Sequence, residues 1–231
     1  GEQGPVCASL VVRGDGPCCP QRTQEVTLYD SLKRIDLANR LLRDSMPHLE
    51  VCFAFPLAVP EPRFRFEAPN AVVEPIRDQL PGSNTDAYAV QHWVSIEDRP
   101  AATPEDAVSP HASRNTHHVA WCSLEAPVVS LGGLRPSPLS QAHHAAAAPD
   151  YGQPFLREPA GFGPGYIYSY AMVSNFRTNF SPLQAGDALF RYVLTSYPAP
   201  GQAPARDLGW AAATPLVPAW IAGPQQGPLP A

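Results

Sequence analysis

The sequence is poor in charge, in basic residues and in long apolar runs. Charged residues make up 16% of the 231 residues, against about 25% in an average globular chain. The 16 Lys and Arg against 21 Asp and Glu give a net charge of -5, and no basic stripe is present, which argues against a nucleic-acid footprint. No run approaches the ~18 apolar residues that a membrane-spanning helix needs. The composition therefore predicts neither a nucleic-acid partner nor a membrane partner.

The cysteines do not form a disulfide or zinc framework. There are five, an odd number, and the neighbours Cys18 and Cys19 would point to opposite faces of a strand. No Cys-x-x-Cys pair is present to hold zinc. Reduced thiols and an intracellular compartment are expected, with Cys122 as an inert thiol in a buried strand. The chain begins with Gly1 and shows no signal-peptide pattern, which suggests a processed chain or a piece of a longer one.

Catalytic and metal-binding motifs are also missing. The sequence has no Gly-x-Ser-x-Gly nucleophile elbow and no glycine-rich phosphate loop. The pairs His117-His118 and His143-His144 are directly adjacent, which is a poor spacing for two ligands on one face of a strand. We therefore predict no catalytic residue, no metal ligand and no cofactor in this chain.

Proline and alternating runs dominate what is present. The 29 prolines leave little room for helices, because each removes a backbone donor and clashes with the preceding turn. Arg63–Phe66 illustrates the strand pattern, with Phe64 and Phe66 on one face and the two arginines on the other. Eight to ten such runs predict an all-β fold: a large antiparallel β-sandwich with few or no helices, as one domain over residues 1–231.

Three segments are less clear. In Gln24–Arg43, apolar residues near helical spacing favour a helix by a small margin, although two short strands explain the segment equally well. Residues 135–164 form a long loop without periodicity, which is typical of a functional loop or a lid. The tail from Gly209 is proline-rich and apolar, and we expect it either to pack across the sheet or to continue into further sequence.

Aromatic rings and amide side chains are the remaining functional signal. Flat rings beside hydrogen-bonding groups are typical of a carbohydrate-binding surface. The structural alternative is that the rings, the tyrosines 166, 168 and 170 above all, are packed inside and that the acidic side chains hold turns. The candidate carbohydrate contacts are Asp78, Asp86, Gln91, Trp93, Tyr168, Asn175 and Asn179.

A set of short segments also carries a family resemblance. They are Leu28–Leu37, Phe53–Pro56, Asp78–Ser83, Gln91–Val94, Ala126–Gly132, Tyr168–Asn175, Thr178–Phe180 and Gly186–Tyr192. In this order they resemble the C-terminal β-domain of glycoside hydrolase family 38, the α-mannosidases, and especially its bacterial-type members. The match spans roughly Ser9 to Ser196.

The resemblance implies an antiparallel supersandwich similar to galactose mutarotase, and it assigns Leu28–Arg43 to strands. Family members hydrolyse α-mannosides with retention, using an Asp nucleophile and a zinc ion in domains that precede this region. No catalytic or zinc-binding residue is carried over to these residues. The chain is therefore expected to be a fragment of a larger α-mannosidase-like chain, inactive alone, with the N-terminal catalytic domain and a mannose-containing glycan as partners.

Three functional hypotheses follow. In the first, the chain braces the catalytic domain of a parent enzyme and lines one wall of its sugar site through residues 78–93 and 168–179. In the second, it is a free-standing carbohydrate-binding module. In the third, it is a structural remnant without a ligand, with exposed apolar patches where missing strands once packed.

Overall fold

The computed structural model describes residues 1–45, 50–59, 61–80, 83–98, 118–134, 164–173 and 183–217. Within these residues the chain forms twelve strands and one helix. The elements are β1 Cys7–Gly16, β2 Cys19–Tyr29, β3 Ile35–Arg43, β4 Glu50–Pro56, β5 Pro62–Ala68, β6 Ala71–Val73, β7 Tyr88–Ala89, β8 Trp93–Asp98, β9 His118–Ser123, β10 Val128–Leu131, β11 Tyr166–Val173, β12 Gly186–Tyr197 and α1 Ala203–Ala213.

The strands form two antiparallel sheets. The larger sheet has eight strands in the order β1-β2-β3-β12-β9-β8-β5-β6, and the smaller has four in the order β4-β11-β10-β7. Their facing sides share one buried core of large apolar side chains. The predicted fold class, an antiparallel β-sandwich, is confirmed.

Aromatic rings join the two sheets at the centre of that core. Phe55 of β4 meets Trp121 of β9 with ring centroids 5.5 Å apart and Tyr192 of β12 at 4.8 Å. Both partners are fully buried. Their tilted and edge-on geometries are favoured by the charge distribution of aromatic rings. Because side chains alternate along a strand, this face of each strand is apolar and the other is free for polar groups.

Two predictions of secondary structure need correction. The helix favoured by periodicity within Gln24–Arg43 is wrong: the segment forms most of β2 and all of β3, as the family resemblance implied. The alternating run Tyr88–Ile96, one of the eight to ten runs that predict strands, is interrupted, because β7 and β8 are separated by a bend at Gln91 and His92. Most of the predicted loop 135–164 lies outside the described residues.

Helix α1 was not predicted from the sequence. It packs on the outer face of the larger sheet, the side that faces away from the smaller one, through Ala205, Leu208 and Ala212. The expectation that the tail packs across the sheet thus holds for its first residues, in helical form. Among the described residues, no helix is long and apolar enough to cross a membrane.

All five cysteines lie within the described residues and are free thiols. Burial raises the pKa of Cys122 to about 12 and that of Cys52 to about 12. Since the thiolate is the reactive form, neither of these two thiols is activated as a nucleophile.

Candidate functional site

A groove of about 550 Å³ opens on the outer face of the larger sheet, between the β5–β6 turn and α1. It holds charged, amide and aromatic side chains within one concave surface, which is the usual form of a small-molecule site. Its lining residues are Glu67, Ala68, Pro69, Asn70, Ala71, Val72, Gln91, Trp93, Gln202, Ala203, Arg206 and Trp210.

The first wall is the tight turn between β5 and β6. Phe66 pairs with Val73 and Ala68 with Ala71 across this hairpin, so that only Pro69 and Asn70 make the connection. Asn70 has a positive φ of 62°, a conformation that Asn adopts more readily than most residues. The turn therefore places the polar side chain of Asn70 at the edge of the groove, beside the end of β5.

The second wall is one face of α1. Gln202, Arg206 and Trp210 follow each other at intervals of four, which places them on the same side of the helix. Pro204 is tolerated because it lies in the first turn, where the backbone N–H groups have no partner within the helix. Trp210 is 44% exposed, so its indole ring is available at the groove.

Gly209 lets the helix approach the sheet closely. A Cβ atom on this residue would lie 2.9 Å from both Cβ and Cδ1 of Trp93, and 3.2 Å from Cβ of His92. The segment before the helix is tied down as well, because the backbone N–H of Gly201 donates to Oε1 of the buried Glu97 at 3.1 Å. That carboxylate also receives Arg65 Nη1 at 3.0 Å. The helical wall is thus held by a hydrogen bond just before its first residue and by close packing in its second half.

Glu67 connects the two walls at the base of the groove. Its Oε2 accepts from His92 Nδ1 at 2.8 Å, and its Oε1 accepts from Trp210 Nε1 at 3.1 Å. The rings of His92 and Trp210 lie 4.4 Å apart. Both carboxylate oxygens of Glu67 are engaged, so this residue orients Trp210. The arrangement presents a fixed aromatic ring for binding.

A second carboxylate, that of Glu74, stabilises the β5–β6 hairpin through ion pairs with two arginines. Its Oε2 accepts from Arg63 Nη2 at 2.6 Å and from Arg77 Nη1 at 3.0 Å. Burial alone would raise its pKa, but the hydrogen bonds and charges of the two arginines outweigh burial, and the net pKa of Glu74 is lowered.

Replacing Glu74 with Gln is expected to reduce the loss of stability in acid. A carboxyl whose pKa is lower in the folded state stabilises the fold above its unfolded pKa, and this contribution disappears as the pH falls through the folded value. Urea unfolding at a series of pH values below the ordinary Glu range measures the effect. Glu61→Gln, at an exposed position, is the control, and equal acid sensitivity in wild type and Glu74→Gln would contradict the role given to Glu74.

The groove gathers two of the predicted contact residues. Gln91 lies on its floor, with its backbone N–H donating to the Glu67 carbonyl at 2.8 Å. Trp93 is only 1% exposed and packs beneath α1 with Ala120 and Tyr197. Its ring therefore supports the groove from below and offers little surface to a ligand.

The predicted residues Asp78 and Asp86 are not among those lining the groove. Asp78 Oδ2 accepts from the backbone N–H of Glu74 at 2.7 Å, so it holds a turn, as the structural alternative proposed. Asp86 is buried, and its backbone N–H donates to Asn84 Oδ1 at 2.8 Å. Its charge is one of the influences, after burial, that raise the pKa of Tyr170.

Tyr168 lies on the opposite layer of the sandwich. It pairs with Ala54 in the smaller sheet and shares the outer face of β11 with Tyr166, whose ring centroid is 6.4 Å away. Both rings are partly exposed. The predicted residues thus divide between two surfaces instead of forming one site. The predicted contacts Asn175 and Asn179 lie outside the described residues.

Five polar or aromatic groove residues were missed by the sequence reasoning: Glu67, Asn70, Gln202, Arg206 and Trp210. The four-residue spacing of Gln202, Arg206 and Trp210 was the available signal, but prolines 198, 200 and 204 in the same region obscure a helical pattern. No group of three or more His, Cys, Asp or Glu side chains lies close enough to hold a metal ion within the described part of the chain.

No family model matches the chain, and no curated protein matches it. Among solved structures, the fold is similar to an alpha-mannosidase from Enterococcus faecalis V583, with a TM-score of 0.54 and 11% identity. The similarity covers 84% of this chain but only 18% of that one. At this identity the likeness shows the fold alone.

Two further similarities are weaker in TM-score. A putative aldose 1-epimerase from Escherichia coli K12 aligns at 0.40 with 10% identity, over 86% of this chain and 67% of that chain. A galactose mutarotase related enzyme from Lactobacillus acidophilus aligns at 0.33 with 10% identity, over 85% and 69%.

Proposed function

We propose that this chain is a carbohydrate-binding β-domain of an α-mannosidase-like glycoside hydrolase, of the family 38 type that the sequence resembles. The groove between the β5–β6 turn and α1 is its sugar contact. Catalysis and zinc binding belong to a preceding domain of the parent enzyme, so the chain alone binds without hydrolysing. The likeness to an α-mannosidase over most of this chain supports the assignment.

The observation that carries the proposal is the fixed, exposed ring of Trp210 beside amide side chains. A sugar ring has C–H faces that pack on a flat indole and hydroxyl groups that need donors and acceptors around its edge. Asn70, Gln91 and Gln202 supply both kinds of group, and the cavity has the size of a small-molecule site. Because Glu67 already holds the indole in place, little side-chain entropy is lost when a ligand packs against it.

Replacing Trp210 with Ala is expected to weaken glycan binding by ~10-fold or more, since removal of a central aromatic contact costs at least about 1.4 kcal/mol. Isothermal titration with α-linked mannose oligosaccharides measures the change. The exposed Trp210 contributes little to the sandwich core, so the thermal unfolding of the variant should remain close to that of the wild type.

Tyr168→Ala is the matched control, because it removes an exposed aromatic ring from the opposite layer. Unchanged affinity in Tyr168→Ala together with weakened affinity in Trp210→Ala locates the glycan in the groove. The reverse pattern would assign binding to the tyrosine face and contradict the groove. Hydrolysis of an aryl α-mannoside by the purified chain would contradict the claim that the catalytic groups lie elsewhere.

A further inference from the structure

A second concave surface lies on the outer face of the larger sheet, apart from the groove. Helix α1 packs on β8, β9 and β12, whereas this surface is formed by β1, β2, β3 and the beginning of β12. Its volume is about 480 Å³. We call it the arginine cleft, and its lining residues are Arg13, Gln21, Thr23, Arg40, Leu42 and Asp187. None of these residues lines the groove.

The pairing of the strands brings the two arginines of the cleft together. Arg13 lies opposite Thr23, and Thr23 lies opposite Arg40, so the three residues form one row across β1, β2 and β3. Leu41 belongs to the core, and side chains alternate along a strand, so its neighbours Arg40 and Leu42 point outward. Residues directly opposite each other are about 5 Å apart. The two long arginine side chains therefore flank the Thr23 hydroxyl and can reach the same ligand above it.

The guanidinium of Arg40 is oriented by Asp187. Its Nε donates to Asp187 Oδ1 at 3.0 Å and to Oδ2 at 2.8 Å, and its Nη2 also donates to Oδ2. These bonds leave Arg40 Nη1 without a hydrogen-bond partner among the described residues. An exposed ion pair of this kind contributes little to stability. It does hold one edge of the guanidinium, so that the other edge stays available to a ligand.

The charge of Arg13 is not neutralised by a neighbouring carboxylate. Its side chain is exposed and forms no ion pair within the described part of the chain. The two closest acidic positions along the strands, Asp15 and Glu25, are not among the residues that line the cleft. The lining therefore holds two positive charges and one negative charge, which leaves one positive charge unbalanced.

The other lining groups suit a ligand that carries hydroxyl groups. The Gln21 amide can donate and accept hydrogen bonds, as can the Thr23 hydroxyl. Asp187 Oδ1 receives one hydrogen bond from Arg40 and can accept another from a ligand. Leu42 is 42% exposed and offers an apolar contact beside these polar groups. A cleft with few polar groups around an apolar contact is the usual form of a small-molecule site.

We propose that the arginine cleft is a second ligand site and that it binds a hydroxylated carboxylate of the hexuronate class. The carboxylate lies above Thr23, between Arg13 and Arg40 Nη1, because the planar guanidinium fork matches the geometry of a carboxylate. The hydroxyl groups of the ligand reach Gln21 and Asp187. One negative charge balances the excess charge of the cleft, whereas a phosphate group carries nearly two at neutral pH and would face Asp187.

An NMR titration of the ¹⁵N-labelled full chain with D-glucuronate tests the site. The Nε–H signal of Arg13 is expected to shift and to saturate, and Arg13→Gln is expected to weaken glucuronate binding by ~10-fold or more. Arg22→Gln is the matched control. Arg22 precedes Thr23 on β2 and is also exposed, but alternation along the strand turns it to the opposite side of the sheet. Exposed arginines contribute little to folding, so both variants should keep the wild-type thermal unfolding.

Three simpler or different probes separate the parts of the recognition. Glucose lacks the charge, acetate lacks the hydroxyl groups and glucose 6-phosphate carries the larger charge, so each is expected to bind more weakly than glucuronate. A higher ionic strength should weaken glucuronate binding, since exposed charges are screened by salt. The proposal is overturned if Arg13 shows no shift with glucuronate, if Arg22→Gln loses as much affinity as Arg13→Gln, or if any of the three probes equals glucuronate.

A parallel titration with α-linked mannose oligosaccharides keeps the arginine cleft and the groove apart. Arg13→Gln is expected to leave that affinity unchanged, because Arg13 does not line the groove. Loss of both ligands in Arg13→Gln would overturn the arginine cleft as a separate site. Absence of mannose binding beside intact, Arg13-dependent glucuronate binding would contradict the groove alone.

Discussion

Replacing Gly209 with Ala is expected to destabilise the protein by about 1 kcal/mol, although alanine is the better helix former. The helical preference alone would favour alanine by about 1 kcal/mol. Against this, the new Cβ would lie 2.9 Å from two carbon atoms of Trp93, and overpacking of this kind costs about 1–3 kcal/mol. Because Trp93 is buried beneath the helix and cannot swing away, we expect the steric cost to outweigh the helical gain and to lift α1.

The lifted helix should also disturb the groove. Trp210 follows Gly209 directly, and its Nε1 bond to Glu67 depends on the seated helix. Urea unfolding and glycan titration of the same variant measure both effects. Ala211→Gly, at an exposed position of the helix, is the control: it should cost about 1 kcal/mol through helix propensity alone and leave affinity unchanged. A Gly209→Ala variant that is more stable than the wild type would show that α1 does not press on Trp93.

Replacing Trp121 with Ala is expected to lower the free energy of unfolding by about 3–5 kcal/mol. The side chain is 0% exposed, and its ring touches Phe55 of the other sheet at 5.5 Å and Tyr192 at 5.6 Å. Its removal would leave a cavity between the two sheets. Equilibrium unfolding in urea or guanidinium gives the value.

Trp121→Phe separates packing from hydrogen bonding at the same position. The indole Nε1 of Trp121 is buried and has no hydrogen-bond partner among the residues that the structure describes, so phenylalanine loses volume but none of the described hydrogen bonds. We expect its cost to be well under half that of alanine. Equal costs for the two variants would mean that the indole N–H, and not the ring, supplies the stabilisation.

The strands were largely predictable because their signals are local. Alternation in Arg63–Phe66 gave the correct faces, with Phe64 and Phe66 in the core and the arginines in ion pairs on the outer side. Gln24–Arg43 shows the limit of periodicity: its leucines and isoleucine satisfy helical and strand spacing together. Pairing of β3 with β12, over a hundred residues later in the chain, decides the segment in favour of strands.

The candidate site was only partly predictable. Gln91 and Trp93 were singled out, but Glu67 and Trp210 are separated by 143 residues, and no local pattern relates them. Tyr168 and Asp78 have side chains of the kind that contact ligands. The sheet order, however, places Tyr168 on the other layer, and the Asp78 carboxylate is engaged in a turn. Residue type indicates what a side chain can do, whereas its neighbours determine whether a ligand reaches it.

The sequence by itself determined that this protein is an antiparallel β-sandwich, because proline excludes long helices and alternation specifies which side of each strand is buried. It also determined the absence of charge patterns for nucleic acid. Only the tertiary structure decided that the tail becomes a helix, since α1 has no side-chain cap at its N-terminus and is stabilised by packing on the sheet. The groove depends in the same way on contacts between distant segments, and its geometry exists only once α1 has packed on the larger sheet.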